Sequence, residues 1–287
     1  MAASAAEPGT ARASAKVPER SSFYAQSLGR LLDGGILQRT MSVLVVCGGT
    51  ADRDVLRELG FEQVTVSNLA EDGADYAPYS FSVQDAEDLS YEDGAFDLVA
   101  VSGGLHHCRS PHRALLEMYR VARKAVFVLE SRDSALMRAG ARLGIVDDYE
   151  VTAVAAHGFR AGGVRHTSAP NFVYRWTERE VEKTVASNAP HARHRIHYFH
   201  ELELPFSVLE ARHGRLGGAV ARIAEPALRL LTRALPSQAN LFAFLIEKPT
   251  LPEDLQPWMR LENDLPVANE DWIRARTRVP TEHDDRR

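Results

Sequence analysis

Ser42–Leu59 reads SVLVVCGGTADRDVLREL, and the order of its parts decides the fold. Ser42–Cys47 is a short unbroken apolar run rich in β-branched side chains, which predicts a strand buried on both faces. Gly48–Gly49 turns the chain. Asp52–Leu59 then predicts a helix, with an acid near its start and Gly60 past its end. In a strand, glycine turn and helix N-terminus, backbone N–H groups approach a polar or anionic ligand closely. The same glycines would also serve a purely structural turn.

Working outward, Gln63–Ser67, a short Tyr79–Val83, Phe96–Ser102 and Ala125–Leu129 read as further strands, with a helix at Pro111–Ala122 that carries proline in its first turn. This alternation predicts an α/β fold, a mostly parallel sheet flanked by helices. Before it, residues 1–20 are aperiodic and read as a disordered leader. Ser21–Leu32 suits a helix ended by Gly34–Gly35. After Glu130 the alternation stops. Thr177–Ser187 predicts a helix whose Thr177 and Glu180 form a capping box. Arg195–Leu204 predicts a strand, Leu216–Leu235 a helix broken near Pro226, and Asn240–Glu247 a last strand. The expected organisation is a leader at 1–20, one domain at 21–249 with a substrate-binding insertion at 131–200, and a C-terminal extension at 250–287.

Composition narrows the function. The net charge of −5 argues against a general nucleic-acid surface. Two cysteines, Cys47 and Cys108, exclude a disulfide framework and suit a reducing, cytoplasmic setting. No apolar run reaches the roughly 18–20 residues of a membrane span. The first twenty residues lack the apolar core of a secretory signal. The charge is uneven, however. Residues 151–200 carry seven basic groups against Glu178, Glu180 and Glu182, a local +4, with six of the eleven histidines.

The next segments are more specific. Asp85–Val99 reads DAEDLSYEDGAFDLV, followed by Ser102–His107, SGGLHH, and by Glu117–Val121, EMYRV. Together with the opening strand these resemble class I S-adenosylmethionine (SAM)-dependent methyltransferases, including small-metabolite enzymes, over roughly residues 41–130. The resemblance implies a Rossmann-like sheet and SAM as cofactor. It places the turn of Gly48, Gly49 and Thr50 at the methionine part of SAM, and Asn68 at the ribose. It places Asp85 at the adenine amino group with Ala86 beside it, and Ser102 and Gly103 under the reacting methyl. Val45, Cys47, Ala51 and Asn68 depart from the family pattern, which has an acid before the turn, flanking glycines and a ribose-binding acid.

His106 and His107 follow the strand at Phe96–Ser102, at the sheet end where α/β proteins bind ligands, so either is a candidate base. Glu150 is a third catalytic candidate, in the acidic run Asp147–Glu150, which would alternatively hold Mg²⁺ or be a solvated loop. Arg165, His166, Tyr174, Arg175 and Trp176 combine forked cations with aromatics and are candidates for binding a substrate with an anionic group and an apolar body. His191, His194, His197 and His200 recur every third residue. In a strand that spacing alternates faces, so no metal site is assigned. The expected function is methyl transfer from SAM to a small intracellular metabolite, a natural-product or lipid-like precursor, with oligomeric state open. Two alternatives stand beside it: a decarboxylase or cyclase on the same fold using SAM structurally or not at all, and a non-catalytic binding protein. No Asp/Asn-Pro-Pro-Tyr/Phe motif of a nucleic-acid methyltransferase follows the fourth strand.

Overall fold

The structure, a computed structural model, describes residues 19–204 and 206–277. The expected leader lies outside these residues except for Glu19 and Arg20, which open helix α1 (Glu19–Asp33). The chain then runs through β1 (Ser42–Val45), α2 (Thr50–Glu58), β2 (Gln63–Asn68), β3 (Ser80–Val83), β4 (Phe96–Ser102), α3 (Pro111–Val121) and β5 (Ala122–Ser131). After an insertion containing α4 (Ala135–Arg142), α5 (Val151–Ala156) and α6 (Glu178–Asn188) come β6 (Arg195–Glu201), α7 (Phe206–Ala234) and β7 (Leu241–Glu247). A hairpin of β8 (Met259–Glu262) and β9 (Leu265–Ala268) and a last helix α8 (Glu270–Thr277) follow.

Seven strands form one sheet in the order β3-β2-β1-β4-β5-β7-β6. Its first five members are parallel, and β7 lies antiparallel to both β5 and β6. This is the Rossmann-like, mostly parallel sheet expected. Its continuous apolar strands follow from cover on both faces. Val43 and Val45 of β1 pack with α1 and α2, through Leu28, Leu31 and Leu56. Leu44 and Val46 point the other way, into a layer with Leu115 and Met118 of α3 and Val181 and Val185 of α6. The period of two along one short strand thus divides the interior into two cores. At the amino end of the strands, Asp97 accepts hydrogen bonds from Ser42 N–H, Arg123 and Lys124, clasping β1, β4 and β5 together.

Three expectations are corrected. β6 pairs with β7 along its whole length, so the insertion ends before Arg195 rather than at residue 200. Helix α7 starts ten residues earlier than expected and runs through Pro226; its non-helical residue is Gly214, at φ 68°. Pro226 is exposed, so water replaces the backbone bond it removes, whereas glycine adopts a left-handed φ at little cost. The strand expected at Arg195–Leu204 stops at Glu201.

The part of the insertion before α6 leaves the sheet and returns to it at one place. Trp176 N–H donates to Ser131 C=O at 2.9 Å, and Asp133 N–H donates to Trp176 C=O at 3.0 Å. A second bridge joins Tyr149 to Phe172. The C-terminal hairpin turns through Asn263 and Asp264, both at positive φ, as a tight two-residue turn requires.

Candidate active site

A cavity of about 440 Å³ opens at the carboxyl ends of the parallel strands, where α/β sheets bind their ligands. Its floor comes from the loops after β1, β2, β3 and β4, with Cys47, Asn68, Asp85 and Gly103 among its residues. Its roof is the insertion, which contributes Glu150, Ala153 and His157 around α5 and the turn Gly162–His166. The turn is tight: Arg165 and His166 both stand at positive φ, 49° and 59°.

The backbone after β1 is closely packed. Cys47 takes φ 52°, and a Cβ on Gly104 would fall 2.4 Å from the Cys47 Cβ. Gly104 is therefore required by its neighbour. A Cβ on Gly48 would meet Val45 of β1 and Val66 of β2 at 2.8 Å, so this glycine lets the turn lie close against the strand ends. Gly49 N–H is taken by the Asp52 carboxylate at 2.9 Å, which closes the start of α2. Gly48, Gly49, Thr50 and Ser102 are not among the residues lining the cavity, while Cys47 is. The neighbouring Cys108, together with burial, pushes the Cys47 thiol well above its usual range, so it is a packing group and not a nucleophile.

At one end of the cavity stand Asn68 and Asp85. Asn68 donates to Gly48 C=O at 3.1 Å and accepts from Leu69 N–H at 2.8 Å, tying the ends of β1 and β2. One amide hydrogen and one lone pair remain for a ligand. Asp85 accepts from Glu87 N–H at 3.0 Å and is ion-paired to Arg165 at 2.7 Å. Arg165 also reaches Glu87 at 3.3 Å, and Glu87 in turn accepts from the N–H groups of Arg109 and Ser110. Arg165 thus straps the roof to the floor.

At the other end the three expected catalytic residues come together. His106 Nε2 lies 3.4 Å from one Glu150 oxygen, and His107 Nε2 lies 3.4 Å from the other. Behind His106, its Nδ1 stands 2.7 Å from Glu130, a carboxylate with no exposure that also accepts from Leu105 N–H at 2.7 Å. Burial alone would lower the His106 pKa, but Glu130 and then Glu150 outweigh it and raise it to about 10. The hydrogen bond from His106, working against burial, holds Glu150 down to about 2. Burial and the charge on His106 lower His107, which stays neutral. Glu130 was not a sequence candidate. Its signal was an acid ending the apolar run AVFVL, at the carboxyl end of a buried strand.

Of the expected substrate contacts, Arg165 and His166 line the cavity. Tyr174, Arg175 and Trp176 are not among its lining residues. Trp176 is fully buried between Phe244 and the rings of His112 and Tyr174. Tyr174 donates to Glu180 at 2.9 Å. Arg175 is engaged by Asp148 at 2.7 Å and by Asp147 C=O. Their composition suited a binding surface, but the rings pack the insertion onto the sheet. Of the four spaced histidines, His197 and His200 lie in β6, while His191 and His194 precede it. His194 meets Tyr119, His197 meets Glu247, and His200 meets Glu178.

Residues 44–129 match the model of the methyltransferase domain family. No curated protein matches the sequence. Among solved structures, the chain resembles the Burkholderia thailandensis 1,6-didemethyltoxoflavin-N1-methyltransferase, bound to its substrate and S-adenosylhomocysteine. Identity is 13%, covering 82% of this chain and 79% of that one, with a TM-score of 0.44. It also resembles the Synechocystis PCC 6803 magnesium protoporphyrin IX methyltransferase with bound S-adenosylhomocysteine, at 11% identity over 80% and 83% of the chains and a TM-score of 0.45. A third is the [4+2]-cyclase SpnF, at 19% identity over 78% and 82%, with a TM-score of 0.44. These three likenesses carry no inference about activity.

Proposed function

Residues 44–129 give this chain a methyltransferase domain of the class I, Rossmann-like kind, and on that premise we propose that it methylates a small molecule held in the cavity beneath the insertion, with SAM as donor. One observation carries the reading. A single cavity is lined both by Asp85, from the loop after β3, and by His107 and Glu150, so a donor and an acceptor would share one chamber.

The residues present fit the cofactor. Asp85, once its pairing with Arg165 gives way, offers an oxygen to an adenine amino group, and Asn68 keeps a donor and an acceptor for ribose hydroxyls. Gly103 and Gly104 bring backbone without side chains to the middle of the cavity. The floor is thereby shaped to bring the two reactants together, which is the larger part of catalysis for a methyl group that SAM supplies already activated. His107, neutral and half-buried, is placed to take the proton of a hydroxyl or amine nucleophile, with Glu150 orienting it. Arg165 and Arg175 are both held by carboxylates. This favours a neutral protic substrate over the anionic one that composition suggested.

Isothermal titration tests the reading. SAM and S-adenosylhomocysteine should bind with 1:1 stoichiometry, and Asp85→Ala should weaken both at least about tenfold, the loss of one charge-assisted hydrogen bond. Label from methyl-labelled SAM should then pass to a phenolic or hydroxylated acceptor. Absence of binding by either ligand would overturn the assignment.

A further inference from the structure

We propose that His106, His107 and Glu150 form a binding site for a divalent first-row transition ion, at the end of the cavity opposite Asp85. The inference deepens the methyltransferase reading and rests on it for the meaning of the cavity, not for the donor set.

The donors come from two directions. His106 and His107 lie in the short 3-10 turn Leu105–His107 that follows β4. Glu150 descends from the roof, just before α5. One donor atom from each residue falls within 4.8 Å of the others. The two histidine–carboxylate separations are 3.4 Å. Donors about 2.0–2.1 Å from a tetrahedral ion stand about 3.3 Å apart, so these pairs are already at coordination distance. Two imidazoles and one carboxylate, with the remaining position facing a cavity, match catalytic rather than structural metal sites.

The surroundings supply the independent support. A metal-bound histidine nearly always has its second ring nitrogen held by a carboxylate or carbonyl. His106 offers Nε2 to the cavity side while its Nδ1 is fixed 2.7 Å from fully buried Glu130. A carboxylate this deep would be an odd partner for a merely structural histidine, since it has to be desolvated. The ring of His107 meets the backbone of Gly163. Asn171, almost fully buried, holds the backbone of Glu150 by accepting its N–H at 3.1 Å, and its own side-chain amide makes no hydrogen bond. His106 is thus oriented by a carboxylate behind it, and Glu150 is fixed through its backbone. Such orientation is what a metal site needs and what a solvated acidic cluster lacks.

His107 and Glu150 are about one-third exposed at the side chain, and His106 hardly at all. The open position therefore points into the cavity. Its natural occupant is a hydroxyl oxygen of the substrate, whose acidity the ion would raise; with the ion bound, His106 has given up its Nε2 proton and His107 is a ligand, so the ion takes over from His107 the activation of that oxygen.

Tag-free protein dialysed against a chelator should bind Zn²⁺ with 1:1 stoichiometry by calorimetry. Co²⁺ should give the visible absorption of a low-symmetry site and be displaced by Zn²⁺. Glu150→Gln and His107→Ala should each weaken Zn²⁺ binding at least about tenfold. Glu130→Gln should weaken it by about 10–100-fold although Glu130 does not touch the ion. SAM titrated into the same variants reports that they are folded. No stoichiometric Zn²⁺ binding, or binding unchanged by Glu150→Gln and His107→Ala, overturns the proposal. Zn²⁺ failing where SAM binds removes the metal site alone. SAM failing where Zn²⁺ binds removes the cofactor assignment and leaves the metal site standing.

Discussion

Removing the guanidinium of Arg165 should make SAM bind more tightly, not less. In the free protein Arg165 Nη1 lies 2.7 Å from the Asp85 oxygen that the adenine amino group would need. The side chains are 31% and 27% exposed, so the pair is neither buried nor fully solvated. Such pairs contribute about 0.5–1 kcal/mol. Arg165 and His166 sit in the left-handed region, at a cost of roughly 1–2 kcal/mol each. The strap is therefore close to balance, and admitting a ligand means breaking it. Arg165→Ala removes that step, which should lower the dissociation constant for S-adenosylhomocysteine by about two- to fivefold. Salt supplies the control. Raising ionic strength from about 0.05 to 0.5 M screens the pair, so wild-type affinity should rise with salt and the variant's should stay flat. Calorimetry and stopped-flow fluorescence at both salt concentrations measure this. Weaker binding by Arg165→Ala would refute the reasoning and mean that Arg165 holds the ligand instead of its seat.

Two further outcomes follow from packing and burial. Gly104→Ala puts a Cβ 2.4 Å from the backbone-fixed Cβ of Cys47, which should destabilise the fold by about 1–3 kcal/mol in urea denaturation; adding Cys47→Gly should restore most of the loss. Burial, with His191 and Lys248 nearby, holds His194 down to about 4, and its Nε2 lies 2.7 Å from the Tyr119 hydroxyl. The unfolded chain binds that proton below about pH 6.5 and the folded chain only below about 4. Stability should therefore decline as pH falls from about 6.5 to 4, and His194→Gln should flatten that part of the denaturation-against-pH curve.

The sheet was legible because its central strands β1, β4, β5 and β7 are buried on both faces and need unbroken apolar runs. Phe96–Ser102 forms a strand over the span its residues suggest. The pairing of His106 and His107 with Glu150 was legible only as a set of candidates, since more than forty residues separate the two segments. Glu130 was invisible as the partner of His106 because the two sit on different strand ends, 24 residues apart, that only the β4–β5 pairing brings together. Asn68 shows another limit. Its position at the end of β2 was readable, but backbone groups on either side claim much of its hydrogen-bonding capacity. Trp176 and Arg175 mark a third limit. Aromatics and cations serve a binding wall or an interior equally well, and only three-dimensional packing decides between them.

The hydrogen bonds that join Ser131 and Asp133 to Trp176 have a practical meaning for protein engineering. The segment between them departs and returns through one narrow neck, so exchanging it for another of different length would add little loop-closure entropy. Glu150 and Arg165 travel with such a cassette, while Asp85, His106 and Glu130 remain on the scaffold. A chimaera made at this neck would trade the upper half of the reaction chamber and leave the lower half untouched.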